Sequence, residues 1–366
     1  MTLFFHLLQC GLWNKSADPL LFEGISARDW NQIYQYAVRQ ALIGIIYDAM
    51  STLPSHLQPD RTLRLKWFMT VQKIEQNNRL LNRVLEAFSQ EMEKCNVRFF
   101  LLKGQGQASF YPNPLRRQSG DIDLYFPTPA DYSKACAWIT EQQLTVAESV
   151  KHISVEWRGA HLEFHDGLSE MHRPLSNRRL QHHMGQCMAE RNHEALQIDK
   201  IHVQGLPPEV NLMYMMLHIF SHLITGGIGL RQFCDWALYA SYHANQINRE
   251  RLGLLIDQTG LRRFANALAQ IQVEYLGLRP SQVPYDYVAD AMSEWLFEDI
   301  MEGGNFGNYH HSGVRPAGKW LGKWHTAQKV MKRAVRFFRL SPSETVWLPI
   351  HYVIRNVQLL RNTPRI

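Results

Sequence analysis

Two short apolar segments with charged residues at their ends constrain the fold of this 366-residue chain more than any other feature. Residues 97–102 are mostly apolar and lead into Lys103 and Gly104, and the second segment carries Asp121 and Asp123 with one residue between them. Side chains alternate between the two faces of a strand, so the two aspartates share a face if this segment is a strand. Carboxylates that close repel each other unless a cation lies between them, and a divalent metal is the natural candidate. A solvated pair at the start of a strand explains the spacing equally well.

Hydrophobic periodicity divides the chain into three regions. The first is helical throughout, and the apolar stripe of its longest helix is interrupted only by Asn78. The second contains strand-like runs at 97–102, 121–126, 144–148, 151–157, 160–164 and 201–204. Residues 174–200 show only a weak, polar pattern, and helical spacing returns after Pro207 and Pro208. We therefore predict an α+β fold with an N-terminal helical region (1–96), an α/β core (97–206) and a C-terminal helical domain (207–366).

The composition is that of a globular protein, with 45% hydrophobic and 20% charged residues. The five cysteines are scattered and form no Cys-x-x-Cys pair, so neither a zinc motif nor a disulfide framework is indicated. This usage predicts a reducing, cytoplasmic location. No apolar stretch approaches the roughly 18 residues of a membrane span, so none is predicted.

Positive charge is concentrated at the C-terminal end of the chain. Residues 315–366 contain eleven lysines and arginines and a single acid, Glu344, while the net charge of the whole chain is +6. Such a segment can attract RNA, nucleotide phosphates or an acidic partner. A helix with a basic, solvated polar face is an equally good interpretation.

The segments that contain Lys103-Gly104 and Asp121-Ile122-Asp123, together with motifs further along the chain, resemble the core of the polymerase-β-like nucleotidyltransferase superfamily. They are more closely similar to a bacterial group described as uncharacterised nucleotidyltransferases. The resemblance is carried by Leu101-Leu102-Lys103-Gly104, Tyr111-Pro112, Arg117, Gly120-Asp121-Ile122-Asp123-Leu124, Glu163-Phe164-His165, His218 through His222, Gly229-Leu230-Arg231 and Asp235.

The resemblance implies a small mixed β-sheet flanked by helices. It implies that Asp121, Asp123 and Glu163 are the catalytic acids and hold one or two Mg²⁺ or Mn²⁺ ions. The expected reaction moves a nucleoside monophosphate from a nucleoside triphosphate to an unknown acceptor, which could be a small molecule, a protein or RNA, and releases pyrophosphate. The residues expected to bind the nucleotide are Lys103, Gly104, Arg117, Gly120, Arg231 and Asp235.

Several alternatives stay open at this point. Most active members of the superfamily have Ser or Gly where this chain has Gln105, which keeps a catalytically inactive nucleotide-binding or partner-binding module in view. The basic C-terminal segment suggests a toxin-like enzyme that modifies tRNA. Arg231 and Asp235, one helical turn apart, could instead form a surface salt bridge. His165 could support the acids or be purely structural.

Overall fold

The computed structural model describes residues 1–148, 153–190, 192–307, 309 and 319–351, with backbone only for 148, 319–326 and 329. The first region is helical, as its periodicity predicts. Its helices are α1 (Thr2–Leu12), α2 (Ala27–Arg39), α3 (Ile43–Met50) and α4 (Arg61–Lys94). The 34-residue α4 begins where the Asp60 carboxylate accepts hydrogen bonds from the backbone N–H groups of Thr62 and Leu63.

The middle of the chain forms one seven-stranded sheet with helices between its strands. In chain order the elements are β1 (Phe100–Leu101), α5 (Lys103–Ala108), β2 (Asp121–Tyr125), α6 (Pro129–Glu141), β3 (Val146–Glu148), β4 (Ile153–Trp157), β5 (Ala160–His165), α7 (Pro174–Ala189), β6 (Glu194–Ile198) and β7 (Ile201–Gly205). The strand order is β3-β4-β5-β2-β1-β7-β6. The β2–β5 and β1–β7 pairs are parallel and the other pairs are antiparallel, so the sheet is mixed and the predicted α+β fold is confirmed.

The prediction was wrong where the pattern is weak. Residues 174–200 were given no element, but they form α7 and β6. The buried residues of α7 form a narrow stripe of Ser176, Leu180, Met184 and Cys187. Half of that stripe is polar or small, so the hydrophobic contrast between its two faces is low. Residues 151–152 of the predicted run 151–157 lie outside the described residues.

The remaining helices follow the sheet. They are α8 (Pro208–Thr225), α9 (Leu230–Tyr242), α10 (Arg249–Thr259), α11 (Arg262–Glu274), α12 (Met292–Gly303) and α13 (Lys319–Arg336), and residues 342–351 are also helical. Among the described residues, no helix combines the length and apolarity that crossing a bilayer requires.

Two hydrophobic cores cover the two faces of the sheet. The smaller one joins Ile122, Leu124 and Phe164 of the sheet to the C-terminal half of α4 and to α6. The larger one joins Phe100 and Leu102 to α1–α3 and α8–α12. The first helices of the chain therefore pack directly against the last ones. The boundaries at 96 and 206 remain predictions.

Candidate active site

The three predicted acids lie on two neighbouring parallel strands. Asp123 of β2 is opposite Glu163 of β5, and Asp121 is opposite His161. Ile122 and Leu124, which alternate with the aspartates, point into the smaller core. Strand alternation thus directs Asp121, Asp123 and Glu163 to the other face, where all three line a cavity of about 890 Å³.

Asp123 is the buried centre of this group, with 1% of its surface exposed. Its Oδ1 lies 3.0 Å from Lys103 Nζ and 3.1 Å from His165 Nε2. His165 Nε2 is also 3.6 Å from Glu163 Oε2. Lys103, which follows β1, therefore binds Asp123, and His165, at the end of β5, bridges Asp123 and Glu163.

The pKa directions follow from this arrangement. Burial acts to raise the pKa of Asp123, but the Lys103 ammonium and the hydrogen bond from His165 outweigh burial and hold it below its ordinary value. Burial, then the Asp123 charge, raise the pKa of Asp121. For His165, burial is opposed by hydrogen bonds to Asp123 and Glu163, and the net pKa is raised. The two aspartates therefore have pKa values shifted in opposite directions.

The carboxylate donors at this site fit a hard divalent cation. The ligand atoms of Asp123, Glu163 and His165 lie within 4.8 Å of one another. Carboxylate oxygens are the ligands that Mg²⁺ and Mn²⁺ prefer. Asp121 lies on the same face but is not part of this compact group, and His165 is. The sequence does not predict this role of His165, because a side chain shared by two acids on different strands is visible only in the fold.

The loop before β2 is held by polar residues of α4. The buried Asn78 donates hydrogen bonds from Nδ2 to the carbonyls of Leu115 and Arg117, at 2.8 and 2.7 Å. Asn77 donates to the carbonyl of Ser119 at 3.0 Å. The one polar residue in the apolar stripe of α4 therefore fixes the segment that leads into the aspartates. The apolar stripe of α4 predicts packing and no role at the site. The polar Asn78 that interrupts the stripe is the sequence feature that indicates this contact.

Arg117 and Asp235, which are far apart in sequence, form an ion pair with each other. Arg117 Nε and Nη2 each donate to one carboxylate oxygen of Asp235, both at 2.7 Å, and Nη1 donates to Ser119 Oγ at 2.9 Å. The Tyr111 hydroxyl also donates to Asp235, at 2.7 Å. The alternative salt bridge between Arg231 and Asp235 does not form, because the fully paired Asp235 faces Arg117.

Arg231 is the other cation of this wall of the cavity. It donates a hydrogen bond to the carbonyl of Gln118, and its guanidinium lies 5.7 Å from the ring centroid of Phe306. Among the described residues no carboxylate forms an ion pair with it. Burial, followed by the neighbouring charge of Arg117, lowers its pKa to about 10, so it remains a cation at neutral pH.

The two glycines predicted to bind the nucleotide differ in their surroundings. Gly104 has φ +43°, and a Cβ built on it would lie 3.0 Å from the carbonyl oxygen of Asp121. Around Gly120 nothing lies within 4 Å of such an atom. Both glycines line the cavity. The helix that contains Gly104, α5, has only six residues and is kinked at that glycine.

Gln105, which replaces the usual Ser or Gly, points away from the cavity. It is 3% exposed, and its amide donates to Asn82 Oδ1 and to the carbonyl of Asn78, both on α4. Its side chain therefore anchors the short helix to α4 and occupies none of the space in which a substrate would lie. His218 and His222, whose ring centroids are 4.4 Å apart, also line the cavity.

Comparison with known proteins relates this chain to a nucleotidyltransferase family. A search of curated proteins finds no match. A crystal structure of an antigenic nucleotidyltransferase-like protein from Paracoccidioides brasiliensis is similar over 57% of this chain and 94% of that chain, with 11% identity and a TM-score of 0.37. A family model described as "uncharacterised nucleotidyltransferase" matches residues 26–277, well over half of the chain. The chain therefore belongs to this uncharacterised nucleotidyltransferase family.

Proposed function

We propose that the protein transfers a nucleoside monophosphate from a nucleoside triphosphate to an acceptor, with Mg²⁺ or Mn²⁺ as cofactor. The observation that carries this proposal is the group of three carboxylates, Asp121, Asp123 and Glu163, on one face of two parallel strands at the wall of a large cavity. The distribution of charge supports it, since the cavity is lined by these acids and by the cations Lys103 and Arg231.

Asp121, Asp123 and Glu163 would hold the metal. A bound divalent ion supplies positive charge that neutralises the triphosphate and polarises the reacting phosphoryl group. Lys103 is already within 3.0 Å of Asp123, so it carries cationic charge to the place where phosphate oxygens would arrive. Arg231, which has no carboxylate partner among the residues described, is suited to contact the remaining phosphates.

Glu163 is the proposed general base. It is partly exposed at the cavity wall, so an acceptor hydroxyl can reach it. As the acceptor oxygen bonds to the α-phosphorus, its proton passes to the Glu163 carboxylate, and the bond from the α-phosphorus to pyrophosphate breaks. Arg117 and Asp235 are positioning residues in this scheme, since their charged groups bind each other and hold the loop before Asp121.

Calorimetric titration with each nucleoside triphosphate, with and without Mg²⁺, tests the proposal. We expect Asp123→Asn to abolish magnesium-dependent binding while circular dichroism shows an intact fold. Asp286→Asn removes a fully exposed carboxylate and should bind like the wild type. Unchanged binding by Asp123→Asn would refute the metal assignment.

A second assay separates an enzyme from an inactive binding module. The protein is incubated with labelled nucleoside triphosphates and Mg²⁺, and pyrophosphate and labelled products are measured. Binding without pyrophosphate in the presence of candidate acceptors would favour the module.

The tRNA-modifying alternative depends on the basic segment 315–366. Within its described part, Arg333 and Arg336 both pair with Asp299, at 2.7 and 3.1 Å, so one negative charge there offsets one of the two positive charges. The alternative still predicts salt-sensitive retention of tRNA, and absence of retention at low salt would eliminate it.

A further inference from the structure

A second group of potential metal ligands lies between α7 and α8. His183 and Cys187 are one turn apart on α7, so they share a face of the helix. That face meets Glu209 in the first turn of α8. None of the three residues is among those that line the 890 Å³ cavity. The group is therefore separate from the proposed active site.

The distances within this group are close to those between ligands of a tetrahedral zinc ion. His183 Nε2 lies 3.6 Å from Cys187 Sγ and 2.8 Å from Glu209 Oε1. Zinc–sulfur and zinc–nitrogen bonds of about 2.3 and 2.0–2.1 Å at a tetrahedral angle place N and S about 3.6 Å apart. The same construction gives an N···O separation of about 3.3 Å. The His183–Glu209 hydrogen bond would have to open by about half an ångström, and the ligand atoms of all three residues lie within 4.8 Å of one another.

Glu209 is supported from outside by a charge network. Arg251 donates from Nη2 to Glu209 Oε2 at 2.8 Å and from Nε to both carboxylate oxygens, at 2.9 and 3.0 Å. Arg251 is itself held by Glu190 at 2.6 Å. Carboxylates that bind metals are commonly hydrogen-bonded on their outer side, and this fork plays that part while Oε1 faces His183. The two glutamates also balance the charge of Arg251, so it leaves no net positive charge to repel a cation.

We propose that His183, Cys187 and Glu209 form a binding site for a Zn²⁺-class transition-metal ion that links α7 to α8. A thiol and an imidazole select zinc, cobalt or a similar ion over Mg²⁺. Binding releases the thiol proton of Cys187 to solvent and forms a metal–thiolate bond. Burial, then the Glu209 charge, raise the pKa of Cys187 to about 11, so the thiol keeps its proton until a metal displaces it. The partly exposed His183 provides the side from which an ion and a water ligand can enter.

Titration of the full-length protein with Co²⁺ tests the site directly, because a cobalt–thiolate bond gives a charge-transfer band that Mg²⁺-type carboxylate sites do not give. We expect one such band per chain, saturating at one equivalent and displaced by Zn²⁺. Asp123→Asn removes the central acid of the other site and should keep the band. Cys136→Ser, which changes a cysteine of α6, should keep it as well.

Cys187→Ser should abolish the band, and His183→Asn should weaken Co²⁺ binding by more than about tenfold. Zn²⁺ should raise the melting temperature of the wild type, and a chelator should reverse that rise. Absence of the band in the folded wild type overturns the proposal even if a variant fails to fold. Persistence of the band in folded Cys187→Ser also overturns it. Neither result bears on nucleotide binding, so this site and the proposed function fail or stand separately.

Discussion

The segment that follows β1 has an unusual backbone at the residues nearest the acids. Lys103 and Gly104 have φ of +27° and +43°, a region that side-chain-bearing residues seldom adopt. This turn brings the Lys103 ammonium to Asp123 and lets the backbone of Gly104 pass close to the carbonyl of Asp121. Strained backbone of this kind persists where the surrounding structure enforces it. Here these contacts are the ion pair between Lys103 and the buried Asp123 and the hydrogen bonds of the Gln105 side chain to α4.

We expect Gly104→Ala to lower the free energy of unfolding by about 1–2 kcal/mol, because its Cβ is unfavourable at positive φ and approaches the Asp121 carbonyl. Chemical denaturation measures the change. Gly120→Ala is the matched control in the same cavity wall, and it should stay within about 0.5 kcal/mol of wild type because nothing lies near its added methyl. Equal effects of the two substitutions would contradict this account of Gly104.

Residue patterns alone account for part of the site. Alternation along β2 predicted that Asp121 and Asp123 face one way, and the structure confirms that geometry. It could not reveal that Lys103 and His165 share an oxygen of Asp123, since that contact depends on how β1, β2 and β5 are ordered. Nor could helical spacing show that Asp235 pairs with Arg117, 118 positions earlier. Sequence-local rules see neighbours along an element, and these contacts join different elements.

Among the elements, α4 does the most to position the loop before β2. Its apolar stripe packs against the sheet, and its asparagines hold that loop through backbone carbonyls. The periodicity predicts the helix, and in that pattern Asn78 is only an interruption of the apolar stripe. A buried side-chain amide that donates to two backbone carbonyls is a specific polar contact, and a pattern of apolar residues does not predict it.

We expect Asn78→Leu to destabilise the protein by about 2–3 kcal/mol, although it would complete the apolar stripe. Two buried carbonyls, of Leu115 and Arg117, would lose their donor. Urea unfolding measures the loss. Gln76→Leu, at an exposed position of the same helix, serves as the control and should change stability little. A more stable Asn78→Leu protein would show that the carbonyls find other donors.

A second contact between elements depends on pH. Arg116 bridges Asp48 of α3 and Glu75 of α4, at 2.8 and 2.9 Å. Burial raises the pKa of Asp48 from 3.8 to about 6, against the opposing charge of Arg116. The folded state therefore binds this proton more tightly than the unfolded state, so stability falls as pH rises through this window.

Relative to Asp48→Asn, the wild type should lose unfolding free energy between about pH 4 and pH 6, and the difference should be constant above that range. Urea midpoints measured from pH 4 to pH 8 test the expectation. Asp286→Asn, on the exposed surface, provides the control for a changed net charge. A wild type that gains unfolding free energy relative to Asp48→Asn between pH 4 and pH 6 would contradict the raised pKa.

In the molecule as a whole, the sheet and the C-terminal helices are joined by a buried ion pair. Arg117 lies in the loop before β2 and Asp235 lies on α9, and both are nearly inaccessible to solvent. Desolvation of two charges is compensated only while both are present and fully hydrogen-bonded. This pair therefore makes the position of the acids depend on the helical region behind them.

We expect Asp235→Ala to cost about 3–5 kcal/mol of unfolding free energy, because the Arg117 charge would stay buried without its partner. The double variant with Arg117→Met and Asp235→Leu should lose less unfolding free energy than the sum of the losses in the Arg117→Met and Asp235→Leu single variants. A double-mutant cycle in urea measures this coupling, and Arg336→Met, whose side chain is 41% exposed, serves as a comparison. Additive effects would mean that the two side chains do not act as a unit.

Because helices cover both faces of the sheet, only some fragments of this protein can be expected to fold. A fragment limited to residues 97–206 would carry the three acids, but it would leave Phe100 and Leu102 without the helices that cover them and Arg117 without Asp235. Its other face would lose the apolar side chains of α4. The smallest piece able to fold and be assayed on its own must therefore extend through α4 on one side and α9 on the other.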